Sequence, residues 1–173
     1  MKKYFLLLLI SAGTCFAAKA QCPSPPITLA TQAQVDAFPS SCTNPVGRFV
    51  IGGDPTVPPP HTASNITDLT PLSNIVSFGG HTYIYNNPNL TSLEGLDDVA
   101  QVLGDFTVQK NDGLTDLTGL GSLTYVQNLF KIENNHNLET LDGIGGGFTQ
   151  LESIVVIEND NLTSMSGIFN SLT

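Results

Sequence analysis

Three histidines, three cysteines and fifteen acidic residues are the groups in this 173-residue chain best equipped for chemistry. A hydrolytic or metal site needs such groups at characteristic spacings. His61, His81 and His136 are scattered, and no Cys-x-x-Cys, His-x-x-x-His or His-Glu-x-x-His spacing occurs. Gly-x-Ser-x-Gly elbows and Gly-x-x-x-x-Gly-Lys-Ser/Thr phosphate loops are also absent. Gly143-Ile144-Gly145-Gly146-Gly147-Phe148 starts like a dinucleotide fingerprint but ends in Phe, and reads as a glycine-rich corner. Adjacent carboxylates such as Asp97 and Asp98 are the ordinary solvated surface of an acidic chain. A weak calcium site at Asp112 or Asp160 is the one metal reading left open, without the twelve-residue EF-loop pattern to support it. Asn65-Ile66-Thr67, Asn89-Leu90-Thr91 and Asn161-Leu162-Thr163 match the glycosylation sequon, but all three sit at one register of a repeat and read as coincidence. The expectation is a protein that is not an enzyme, with no cofactor and no resident metal.

Only 12% of residues are charged while 40% are hydrophobic, which excludes both a long helical rod and a charged disordered chain. Lys2 and Lys3 precede an apolar run, Tyr4 to Ile10, and small residues ending Ala18-Lys19-Ala20. That is the pattern of a secretory signal over residues 1–20, and its apolar run is too short to span a bilayer. Its removal leaves Arg48, Lys110 and Lys131 against fifteen acids, a balance of −12. Such a surface excludes nucleic acid as a partner, because counterion release requires many phosphate-neutralising cations. No later segment is long and apolar enough to cross a membrane. Export also pairs the two cysteines that remain: Cys22 and Cys42 should form a disulfide.

The rest of the chain repeats. Ile66, Leu90, Leu114, Leu138 and Leu162 are each 24 residues apart. Leu69, Leu93, Leu117, Leu141 and Met165 follow at a constant offset, as do Leu72, Leu96, Leu120, Ile144 and Ile168. Pro71, Gly95, Gly119, Gly143 and Gly167 form a turn column. Two apolar columns, Thr82/Phe106/Phe130/Ile154 and Ile84/Val108/Ile132/Val156, are two residues apart, the alternation of a strand with one buried face. Asn87, Asn111, Asn135 and Asn159 recur after them. One coil cannot bury its apolar stripe, but stacked coils can. The pattern predicts a mainly β fold, a right-handed parallel β-solenoid in which the Asn column is structural. Stacked carboxamides can satisfy turn backbone groups and each other; turn propensity alone is the competing account.

Phe106-Thr107-Val108-Gln109-Lys110-Asn111 resembles the L-x-L-x-x-N core of leucine-rich repeats. The longer unit from Leu114 through Ile132 and Asn135 is more similar to the receptor L domain, the leucine-rich-repeat-like solenoid of growth-factor-receptor ectodomains and of bacterial exported proteins. The resemblance covers about residues 44–173. It implies a solenoid fold and an extracellular role, and it does not specify a ligand.

Residues 21–43 read as an N-terminal cap, in which Thr31-Gln32-Ala33-Gln34 is a capping box opening a short helix that points Val35 and Phe38 one way. Phe49-Val50-Ile51 reads as the strand of a first coil. Nine extra residues then fall in a Pro-rich loop at 52–64, read as a tolerated insertion in preference to a recognition loop. No C-terminal cap is visible, and the solenoid over 44–173 is expected to be incomplete there. Strand alternation turns two rows outward: Tyr83, Thr107, Lys131, Val155 and Tyr85, Gln109, Glu133, Ile157, with Lys110 beside them. An ordinary solvated sheet face is the plain account of these rows. Bulky Tyr and aliphatic positions favour a ligand face. The expected function is a secreted or cell-surface binding and adhesion module for an extracellular protein or glycan. The alternative is a spacer without a ligand, part of a larger surface protein.

Overall fold

The computed structural model describes residues 22–145 and 147–165. The leader expected at 1–20 and the repeat positions Gly167 and Ile168 lie outside the described residues, as does Gly146 of the glycine corner. The chain is a parallel β-solenoid of about five turns with very little helix. Its elements are β1 (Ile27–Leu29), α1 (Gln32–Asp36), β2 (Phe49–Gly52), a single 3-10 turn (Thr70–Leu72), β3 (Ser77–Phe78), β4 (Thr82–Tyr85), β5 (Gln101–Val102), β6 (Phe106–Gln109), β7 (Tyr125–Glu133) and β8 (Gln150–Ile157).

Two parallel ladders run along the stack. The long one joins β1, β2, β4, β6 and the second halves of β7 and β8. The short one joins β3, β5 and the first halves of β7 and β8. In the long ladder Phe49, Thr82, Phe106, Phe130 and Ile154 are in register, and so are Ile51, Ile84, Val108, Ile132 and Val156. These are the expected inward columns. Phe106 stacks on Phe130 with centroids 5.1 Å apart, and Phe78 of the short ladder packs on Phe49 at 5.0 Å.

The leucine columns fill the opposite wall of the coil. Ile66, Leu90, Leu114 and Leu138 are inaccessible, as are Leu69, Leu93, Leu117 and Leu141 beside them. Gly95 and Gly119 turn the corner at φ +102° and +108°. A Cβ on Gly95 would sit 2.1 Å from the Leu69 carbonyl oxygen, so neither the dihedral nor the space admits a side chain.

Asn87, Asn111 and Asn135 are fully buried. Each donates its Nδ2 both to a carbonyl of the preceding coil and to the Oδ1 of the next Asn. Asn111, for example, reaches Ile84 O at 2.9 Å and Asn135 Oδ1 at 3.2 Å. The backbone N–H of each Asn also donates to the next Oδ1, at 3.0 to 3.2 Å. The column is therefore a continuous ladder of carboxamides, which settles it as structural. The residue before each rung, Asn86, Lys110, Asn134 and Glu158, takes a left-handed φ of 54–59° that ends the strand and turns the Asn inward. Ser64 closes the ladder at its start: its hydroxyl donates to Asn87 Oδ1 at 2.5 Å.

The cap is built as expected, with one addition. Thr31 accepts from Gln34 N–H, and Gln34 Oε1 accepts from Thr31 N–H at 3.1 Å, a complete capping box. Val35 and Phe38 face the core, and Cys22 is disulfide-bonded to Cys42. The addition is β1, whose Ile27 and Leu29 extend the two inward columns by one more coil.

Candidate functional site

The outer face of the long ladder carries the two expected rows in register. One runs Val50, Tyr83, Thr107, Lys131, Val155; the other runs Gly52, Tyr85, Gln109, Glu133, Ile157. Strands spaced about 4.8 Å apart place Tyr83 and Val155 roughly 15 Å from each other. Tyr83, Gln109, Lys131, Glu133 and Val155 are half-buried, while Lys110 and Ile157 are exposed.

Two members of the rows do not reach solvent as the alternation implied. Tyr85 is only 3% exposed and Thr107 only 6%. The 52–64 loop covers Tyr85. Gly53 N–H donates to the Tyr85 carbonyl at 2.8 Å, and the His61 ring meets the Tyr85 ring edge-on at 5.3 Å. Lys110 closes the other side, its Nζ 5.6 Å from the Tyr85 centroid in cation–π geometry. Thr107 is short and is flanked in register by the much longer Tyr83 and Lys131. Neither residue presents a side chain to a partner, and both drop out of the ligand-facing set.

The loop itself is tied down. Arg48 forms a two-pronged ion pair with Asp54, at 3.0 and 2.8 Å, and also donates to the Thr56 hydroxyl. Burial alone would raise the Asp54 pKa. Hydrogen bonds from the Thr56 hydroxyl and N–H, together with the Arg48 charge, outweigh it and hold the carboxyl below its ordinary range. The Tyr83 phenol moves the other way, raised first by burial and then by the nearby Asp105 charge, and stays protonated at neutral pH. Lys131 pairs with Glu133 on the same face. Between the loop, β1 and the start of α1 lies an open cleft of about 420 Å³, lined by Thr28, Thr31, Asp54, Val57, His61 and Ala63 among others.

Arg48, Asp54, Thr56 and His61 were not singled out as site residues from sequence. Arg48 carried a usable signal as one of three cations remaining after the expected leader. All three lie on this one face: Arg48 beside Tyr83, Lys110 over Tyr85, Lys131 in the first row. Elsewhere, His136 Nδ1 meets Asp160 at 2.9 Å, and Asp112 accepts the His136 N–H. Among the described residues no three His, Cys, Asp or Glu side chains gather as a metal site would require, and no helix is long and apolar enough to cross a membrane. No family model, curated protein or solved structure matches this chain.

Proposed function

We propose that this chain is an exported binding module, secreted or held at the cell surface, that recognises an extracellular protein or glycan through the outer face of the long ladder. Its coils are read as belonging with the leucine-rich-repeat-like receptor L domains, and it is read as acting without catalysis. The observation that carries the proposal is a grouping of residue types, with Asp54 and Glu133 paired to two of the cations. In a chain with fifteen acidic residues, the only cations beyond the expected leader share one face with Tyr83, Val155 and Ile157. Amphipathic aromatic, aliphatic and guanidinium or ammonium groups on one rigid sheet are the composition of an interface. The leader-like N-terminus and the Cys22–Cys42 bridge support an oxidising, extracellular setting.

The test is binding of the labelled chain to arrays of glycans and of extracellular protein domains, comparing the parent with Tyr83→Ser/Ile157→Ser. Neither side chain is in the core, so the variant should fold. Loss of most of the parent's signal supports the proposal, with Val46→Ser, at an exposed site off this face, as the control. A ligand held equally by parent and variant removes the sheet face from consideration and points to the loop cleft. A parent that binds nothing favours the spacer.

A further inference from the structure

One member of the second outward row is covered: Tyr85 is 3% exposed, whereas Gln109 and Glu133 are half-buried and Ile157 is exposed. Its cover is not part of the ladder but residues 54–63 of the inserted loop, through the ring of His61. Both ends of that segment are fixed where β4 ends. Gly53 N–H donates to the Tyr85 carbonyl at 2.8 Å and Ser64 N–H to the Asn86 carbonyl at 3.0 Å. The ends also meet, since a Cβ on Gly53 would lie 3.0 Å from the Thr62 carbonyl oxygen. A compact surface loop with its ends together is an Ω-loop. Its movement leaves the ladder bonds between β2 and β4 intact.

Between those anchors the loop is held by side chains near the surface. Asp54 and Thr56 bind Arg48, and the His61 ring rests edge-on against Tyr85. The stretch between them stands off: Thr56 to Pro60 are exposed, and the cleft of about 420 Å³ separates the loop from β1 and the start of α1. The closed position also carries a cost. His61 Nδ1 is shut off from solvent and has no hydrogen-bond partner among the described residues, an arrangement that opening relieves.

We propose that residues 54–63 are a flap over the ligand face. It swings on Gly53 and Ser64, parting Asp54 from Arg48 and His61 from Tyr85, and the open form presents the Tyr85 ring beside Tyr83 and Gln109. Lys110 follows β6 and keeps its contact with the ring. Tyr85, which is out of the ligand-facing set in the closed form, rejoins it in the open one. Opening also frees the Arg48 guanidinium, so the face gains an aromatic ring and an unpaired cation together. That gain rests on the ligand-face reading proposed above; the opening itself does not, and it is measured without a ligand.

Nitration by tetranitromethane, located by peptide mass spectrometry, reads the opening. In the parent, Tyr85 should react more slowly than the half-buried Tyr125 of the short ladder. Arg48→Met and, separately, Asp54→Asn should speed nitration of Tyr85, by about tenfold for the loss of a hydrogen-bonded ion pair, and leave Tyr125 unchanged. If Arg48→Met fails to fold, Asp54→Asn decides. Amide hydrogen exchange at Ile84 and Asn87 should be the same in parent and variants, because the ladder does not move. Nitration also depends on phenol ionisation, so Tyr85→Trp, in a chain with no other tryptophan, gives a second reading. Its quenching by neutral acrylamide should rise when Arg48→Met is added. A Tyr85 rate that neither variant changes, or a quenching constant that stays put, overturns the proposal. Faster Tyr85 nitration accompanied by faster exchange at Ile84 and Asn87 overturns it too, since the whole coil would then be loosening.

Discussion

At the N-terminal end Ile27, Leu29, Val35 and Phe38 are each at most 7% exposed, although they form the last layer of the stack. Toward residue 165, where the described residues stop, Leu151, Ile154, Val156 and Leu162 occupy the same kinds of column and are only partly covered. Ile154 continues the column of Phe106 and Phe130, which are 1% and 0% exposed. Burial in a solenoid is therefore not a property of a column. It comes from having a neighbour on both sides, or a substitute for one. The N-terminal substitute is a three-residue strand, a helix of one turn and a disulfide.

Removing the disulfide should break this contrast most strongly. Cys22→Ser/Cys42→Ser frees a loop of 20 residues and should cost about 3 kcal/mol. Urea unfolding of both forms checks it, and a midpoint unchanged by the double substitution would show that strand and helix close the end alone. Next is the carboxamide ladder. Asn111→Ala removes the acceptor of the buried Asn87 N–H and a donor to the Ile84 carbonyl, and should cost roughly 1–3 kcal/mol. Asn159, half-buried in the last described rung, should cost less than half as much, since water replaces its bonds. Equal losses at the two positions would mean that position in the stack does not govern the ladder.

Thr31→Ala removes the capping acceptor of α1 and should cost about 1 kcal/mol, read as a small shift of the same urea midpoint. The smallest effect concerns the loop. Asp54 has a folded pKa below its unfolded value, so its contribution is present above the unfolded pKa and is lost as pH falls through the folded one. Carbon NMR of the Asp54 carboxyl should find it still ionised where exposed aspartates are half protonated. An ordinary midpoint would mean that Thr56 and Arg48 do not hold the Asp54 carboxylate in the loop.

Columns in the sequence made the long ladder legible, from Phe49 to Val156, because each contributes one residue per coil at fixed spacing. The short ladder escaped notice. It takes only two residues from each of β3 and β5, and its last rung, Leu151, is displaced by one position where β7 and β8 change register between Val126 and Leu129. β1 escaped because three prolines precede it. The outward rows were legible by alternation, but the burial of Tyr85 and Thr107 was not. Alternation says which side of a sheet a residue faces and nothing of what lies over that side.

The sequence by itself determined the coil: its period, its inward columns, its glycine corner and its Asn ladder. These are local or nearest-neighbour features, repeated until their register is unmistakable. Only the tertiary structure decided where the 52–64 loop goes, which outward residues it covers, and that Arg48, Asp54 and His61 join the sheet face. The path of that loop depends on an ion pair, a ring contact and a few hydrogen bonds between segments that no period relates.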